Sequence, residues 1–218
     1  ADLGPALRRA QASGWSRRPL DERCALLTRA AGALRDAGRI AAGTTAERVA
    51  ALAREQLGTR DLPGPTGESN ELRLHARGIV GALASTPDEA IEQWCSSLAA
   101  GNPVIAAVAP GARDEVLALL QILADAGLSG DDLQLLDAPL AAAAAALSAH
   151  EAIAAVCATS ALALAVRRAL AARSGAIVPL ICWPAADPLY RLVAEQTLSV
   201  NTAAAGGNAA LLAGLPLH

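Results

Sequence analysis

The stretch IVGALASTPDEAIEQWCSSLAAGNPVIAAV, residues 79–108, decides the fold: two short apolar runs, Ile79–Ala84 and Val104–Val108, flank a helical pattern over Asp88–Ala99. The rhythm continues downstream. A helical pattern over Asp114–Ala126 is followed by an apolar run at Leu133–Leu136, a helix over Pro139–Ala149, a run at Ile153–Val156, a helix over Leu162–Ala172 and a last run at Ala176–Cys182. Short strands alternating with helices predict an α/β fold, a Rossmann-like open parallel sheet with right-handed crossovers. Such a sheet takes ligands at the carboxyl ends of its strands, where loops meet helix N-termini. No G-x-G-x-x-G follows any of these runs, and no G-x-x-x-x-G-K is present, so neither standard phosphate cradle is encoded.

Upstream, Leu20, Cys24, Leu27, Ala31 and Leu34 recur at helical spacing, with Asp21 and Glu22 in the first turn and Gly38 as the stop. Thr44-Thr-Ala-Glu47 has capping-box spacing and predicts a further helix running through Leu57, closed by Gly58. Leu62-Pro-Gly-Pro-Thr-Gly67 is a run of turn residues. After it, Glu71-Leu-Arg-Leu-His75 alternates polar with apolar and predicts an exposed strand or flap carrying Leu72 and Leu74. The reading divides the chain into a helical segment (1–60), a turn and β-flap (61–78), the Rossmann-like domain (79–186) and a C-terminal helix, strand and tail (187–218).

Of 218 residues 53% are hydrophobic and 18% charged, enough apolar surface for a core. With three Trp, one Tyr and no Phe, that core must be built from Leu, Val, Ile and Ala with close backbones. A net charge of −3 carries no nucleic-acid footprint. All eighteen basic residues are Arg, which removes chemistry that needs an amine at a fixed place. Cys24, Cys95, Cys157 and Cys182 form no close pair of the zinc or dithiol kind and read as reduced, mostly buried thiols of a cytoplasmic protein. The longest weakly polar stretch, Ala152–Val166, is too short to span a bilayer. The opening lacks an initiator Met and a signal-peptide core, as in a piece of something longer. His75 and His150 are far apart and read as surface or structural residues, and Asp131-Asp132 as a solvated turn pair.

At GNPVIAAVAP (101–110) and SGAIVPLI (174–181) the order of pieces resembles the N-terminal, NAD-binding half of aldehyde dehydrogenases, over about Trp15 to Ala186. The ending LYRLVAEQTLSVNTAAAGGNAALL (189–212), with LPGPTGESNELRL (62–74) upstream, is similar to the C-terminus of the proline utilization A family. Those bacterial enzymes join a proline dehydrogenase to a glutamate-semialdehyde dehydrogenase. The resemblance implies a C-terminal, aldehyde-dehydrogenase-like domain beside the two catalytic modules. It also implies a set of losses. The oxyanion-side Asn falls on Ala84, and the ribose-binding Lys on Ala107. The glycine-rich nucleotide turn falls on Ser160-Ala-Leu-Ala-Leu-Ala165, and the general-base Glu on Trp183. The domain that carries the nucleophilic Cys has no counterpart after Ala186.

The resemblance therefore implies a module with no catalytic, cofactor-binding or metal residues of its own. FAD and NAD would belong to the parent, and the module would be a structural lid supporting substrate channelling, aldehyde dehydrogenase activity or assembly. Its partners would be the parent's catalytic modules and, as a further possibility, a second copy. Trp183 reads as a plug in the vacated pocket. The tail is uncharged, with Val200, Asn201, Thr202, Gly206, Gly207, Asn208, Leu211 and Leu212 as docking residues; the alternatives are a disordered end there and a solvated hairpin at the flap. The competing function is an independent regulatory module that binds a nucleotide or small molecule, and the state of the pocket at Ala84, Ala107, Ser160 and Trp183 separates the two.

Overall fold

A computed structural model describes residues 2–65 and 67–201. Thr202, Gly206, Gly207, Asn208, Leu211 and Leu212 of the expected docking tail lie outside the described residues. The helices are α1 (Gly4–Ala12), α2 (Leu20–Asp36), α3 (Ile40–Gln56), α4 (Pro87–Ala99), α5 (Arg113–Asp125), α6 (Leu140–Ala149), α7 (Ala163–Ala171) and the single turn α8 (Pro188–Arg191). The strands are β1 (Arg60–Leu62), β2 (Glu68–Ala76), β3 (Ile79–Ala84), β4 (Val104–Val108), β5 (Leu133–Leu135), β6 (Ile153–Thr159), β7 (Leu180–Trp183) and β8 (Val193–Asn201).

Strands β3 to β7 form the expected parallel sheet, in the order β5-β4-β3-β6-β7. Its residues alternate between two apolar layers. Val80, Ala82, Ala84, Val104, Ala106 and Val108 face one core with α2, α3, α4 and α5. Leu83, Ile105, Ala107, Val156 and Ala158 face a second core with α1, α6 and α7. Burial on both faces is what continuous apolar runs, rather than alternating ones, encode. Small side chains let the layers approach closely: at Gly81 a Cβ would come within 3.3 Å of Leu147 on α6.

Helix α2 stops as its sequence predicts, with Gly38 at φ +77° and the Arg39 N–H donating to the Leu34 carbonyl. Helix α4 ends the same way. Gly101 sits at φ +90° and the Asn102 N–H reaches back to Ser97. The half-turn beyond it is packed by the buried Arg23, whose Nη1 donates to the Arg18 carbonyl.

Three local expectations fail for identifiable reasons. The helix expected to open at Thr44 begins at Ile40, and the Thr44 hydroxyl donates back to the Ile40 carbonyl instead of capping. The last strand starts at Leu180 rather than Ala176, because Ser174–Pro179 form an exposed loop in which Ile177 is 96% exposed. Asp132, expected in solvent, is buried: its Oδ1 accepts from the Ser13 hydroxyl at 2.5 Å, which ties the end of α1 to the start of β5. Only its neighbour Asp131 is a surface charge, paired with Arg9.

The flap is a second, antiparallel sheet of order β1-β2-β8. Strand β8 arrives from the far end of the chain and pairs with all nine residues of β2, from Glu68↔Asn201 to Ala76↔Val193. Asn102 anchors its root, accepting from the Gly78 N–H and donating to the Leu192 carbonyl.

Candidate functional site

An open parallel sheet offers a ligand site where the strand order reverses, at the carboxyl ends of the two strands on either side. Here those strands are β3 and β6, ending at Ala84 and Thr159. The first turn of α4 follows β3 directly, with Thr86 as N-cap, Pro87 inside the first turn, and Asp88 and Glu89 next.

The crevice is filled by this chain's own groups. The Thr86 hydroxyl accepts from the Glu89 N–H at 3.2 Å. The Glu89 carboxylate turns back, accepting from the Ser85 N–H at 2.7 Å and from the Thr159 hydroxyl at 3.3 Å. One carboxylate thus bridges the ends of both strands. Its amide donor at Ser85 is the kind of group that would otherwise hold a ligand anion. A phosphate brought here would meet Glu89 and Asp88 at close range, a like-charge contact that the helix dipole cannot offset.

One turn further along α4, Glu92 does the same for β7. Its Oε2 accepts from Trp183 Nε1 at 3.0 Å, and its Oε1 pairs with Arg48 of α3. Trp183 is 2% exposed and Gln93 donates to the Leu83 carbonyl. The residues that close the edge, Glu89 and Glu92, were missed in the sequence. The signal was present: Thr86-Pro-Asp-Glu89 follows an apolar run with capping-box spacing.

The four positions where the resemblance implies lost function do not share a pocket. Ala84 and Trp183 lie buried in the α4 core, while Ala107 is buried on the opposite face of the sheet, among residues of α1 and α6. Ser160 is exposed, in a short 3-10 turn that leads into α7 without a side-chain cap. At the positions the resemblance assigns to the ribose and the nucleotide turn, Ala107 is fully buried in a chain without lysine, and every residue from Ser160 to Ala165 carries a Cβ. A crevice of about 120 Å³ between α6 and α7, lined by Ala144, Leu162, Val166 and Ala169, is smaller than the roughly 300 Å³ at which ligand pockets begin.

Of the interface candidates, Leu72 and Leu74 are half-buried, and Leu74 packs on this domain's own core. Leu198 and Val200 lie on the other face of the flap, opposite Glu71 and Ser69, and are 39% and 47% exposed. Asn201 ends β8 opposite Glu68. His75 is exposed on β2, and His150 accepts from the Ala152 N–H at the end of α6. Among the described residues no group of three or more His, Cys, Asp or Glu could hold a metal, and no helix is long and apolar enough to cross a membrane.

Burial holds three of the four thiols in their protonated form. Cys95 and Cys157 are fully buried, and burial pushes both up to about 12; burial also raises Cys24. Cys182 is half-buried on β7.

Two outcomes are expected. Glu89→Ala removes the carboxylate from both strand ends and destabilises by about 1–2 kcal/mol, read as a drop in thermal midpoint; an unchanged midpoint would show that the bridge is idle. With a thiol reagent at pH 8, only Cys182 reacts in the native protein. The folded state holds the Cys95 and Cys157 protons up to about pH 12, whereas the unfolded chain releases them near 9.0. Stability is therefore full below pH 9 and falls between 9 and 12, which denaturant titrations across that range measure.

No protein-family model matches the chain. Among curated proteins it is 37% identical to bifunctional protein PutA of Rhizobium meliloti over 153 residues, 70% of this chain and 12% of that protein. It is 34% identical to the Escherichia coli K12 PutA over 166 residues, 72% of this chain and 11% of that protein. The chain thus spans about an eighth of the length of these relatives. A crystal structure of a variant of Bradyrhizobium japonicum proline utilization A superposes with a TM-score of 0.73 at 33% identity, covering 82% of this chain and 21% of that one. An NAD-dependent benzaldehyde dehydrogenase from Corynebacterium glutamicum gives 0.69 at 19% identity, with 83% and 45% covered, a likeness of fold alone.

Proposed function

We propose that this chain, a relative of one segment of the bifunctional PutA proteins with the aldehyde dehydrogenase type of α/β fold, is a non-catalytic C-terminal module that covers the catalytic parts of a cytoplasmic proline-oxidising enzyme. The observation that carries this reading is the closed carboxyl edge. Glu89, Glu92 and Trp183 occupy with protein groups the place where a sheet of this kind accepts a ligand. What is left is an α/β body bearing a flap whose β8 exposes Leu198 and Val200, followed by an uncharged stretch of sequence.

In the proposed parent, FAD serves the oxidation of proline and NAD that of the semialdehyde between the two steps. That intermediate is small and reactive, so a wall that keeps it from bulk water prevents its loss. The module supplies wall and lid, and its tail and flap seal onto the catalytic modules. The competing reading, a regulatory module for a nucleotide or small molecule, has less in its favour, because the crevice beside the Ser160 turn is small and the switch-point crevice is filled.

Calorimetric titration of the chain with NAD, NADH and ATP at millimolar concentration gives no saturable heat on this reading. A micromolar constant for any of the three would put the regulatory module first. In the full-length parent, removal of the residues after Asn201 leaves β8 whole and lowers the coupled proline-to-glutamate rate more than either half-reaction alone; an unchanged coupled rate would sink the sealing role.

A further inference from the structure

The loop Ser174–Pro179 leads into β7, the edge strand at one side of the parallel sheet. Its pattern reads as the start of that strand, yet the register with β6 begins only at Val156↔Leu180, which leaves the β-branched Ile177 and Val178 outside the sheet. Beside the loop lies a crevice of about 290 Å³, at the size where ligand pockets begin. Leu170 of α7, Val178 and Leu180 give it an apolar wall, and Ile177 borders it while 96% exposed. The charged groups that line it are Arg167 and Arg173, with no carboxylate among its lining residues. Arg173 is fixed in place, Nη1 donating to the Ile153 carbonyl and Nη2 to the Glu151 carbonyl, both uncharged acceptors. Arg167 is exposed and has no hydrogen bond or ion pair among the described residues.

We infer that this crevice binds a small monocarboxylate with an apolar body, of which a short fatty acid is the simplest. Charge complementarity decides the head group. Two guanidinium groups without a counter-ion attract an anion, and the free fork of Arg167 matches the two oxygens of a carboxylate. The end of α7 sets the limit. Its last residues, Leu170 and Ala171, share the crevice wall, and the carbonyl end of a helix is the negative end of its dipole, so a phosphate is opposed in its second charge. An amino acid is unsuited as well, since its ammonium would face the two arginines. The body of the ligand lies along Leu170, Val178 and Leu180 and covers Ile177, the most exposed large apolar side chain among the described residues. The inference stands apart from the covering role, because it involves neither the flap nor the tail.

Hexanoate titrated into the full chain, followed through the Ile177 methyl resonances, gives a saturable shift with a dissociation constant on the order of 1 mM or tighter. Hexanol, with the chain and no charge, and inorganic phosphate, with charge and no chain, each bind about tenfold more weakly or worse. Arg167→Gln weakens hexanoate about tenfold. Arg168→Gln, next along the same helix but outside the crevice lining, leaves the constant unchanged. Both arginines are exposed, so an unchanged thermal midpoint is expected in each variant and separates lost binding from misfolding. Hexanol as tight as hexanoate, phosphate tighter than either, or an undiminished constant in Arg167→Gln would each overturn the proposal. So would Ile177 resonances that stay fixed under hexanoate, in which case the arginines and Ile177 are left for the surface of a partner protein.

Discussion

Helix α4 is buried along most of its circumference, and that constraint organises the molecule. Nine of its residues, Ala90, Ile91 and Gln93 to Ala99, are out of solvent. They lie between the parallel sheet and the α2–α3 pair, in the core that also holds Trp15 and Trp183. Its first turn lies at the rim of that burial, with Thr86 and Asp88 exposed and Glu89 and Glu92 part-buried. N–H groups and carboxylates there are satisfied locally, by Thr86 capping the helix and by Glu89 and Glu92 reaching to strand ends and to an indole. The same helix that fills the core thus carries the carboxylates that cross the carboxyl edge of the sheet.

That arrangement alters what the fold can be used for. A parallel sheet normally keeps the donors at its switch point free for a ligand. Here the donors are taken by side chains on the adjacent turn, and the volume beyond β7 is taken by Trp183. The groups at this switch point are bound into the scaffold itself.

The parallel sheet was legible because burial on both faces leaves a plain mark, short apolar runs separated by helical patterns, which depends on local sequence alone. The stop of α2 was legible for a similar reason, since a glycine at positive φ needs no tertiary information. The pairing of β2 with β8 was not. The two strands are more than a hundred residues apart, and nothing in Val193–Asn201 names its partner. Asp132 misled because two adjacent aspartates read as a turn, while its buried state rests on one hydroxyl, Ser13, from the distant first helix. The resemblance directs attention to Ala84, Ala107 and Trp183, but it is silent on Glu89 and Glu92, which have no assigned role in that pattern. Thr44 shows the limit of motif spacing: a capping box at Thr44–Glu47 and one at Thr86–Glu89 look alike in sequence, and only the second has a strand end to close.

The scarcity of aromatic side chains has an optical consequence. The protein's three tryptophans are all fully buried and stand at different joints: Trp15 where the first helices meet the body, with Nε1 donating to the Leu98 carbonyl, Trp94 in the middle of α4, and Trp183 at the end of β7 against a carboxylate. With one tyrosine and no phenylalanine, the intrinsic emission of the folded chain is a sum of three indoles shielded from water. Variants that keep one tryptophan at a time would therefore report separately on the helical entry, the central helix and the sheet's carboxyl edge, and the Trp183 signal would read directly whether that edge ever opens.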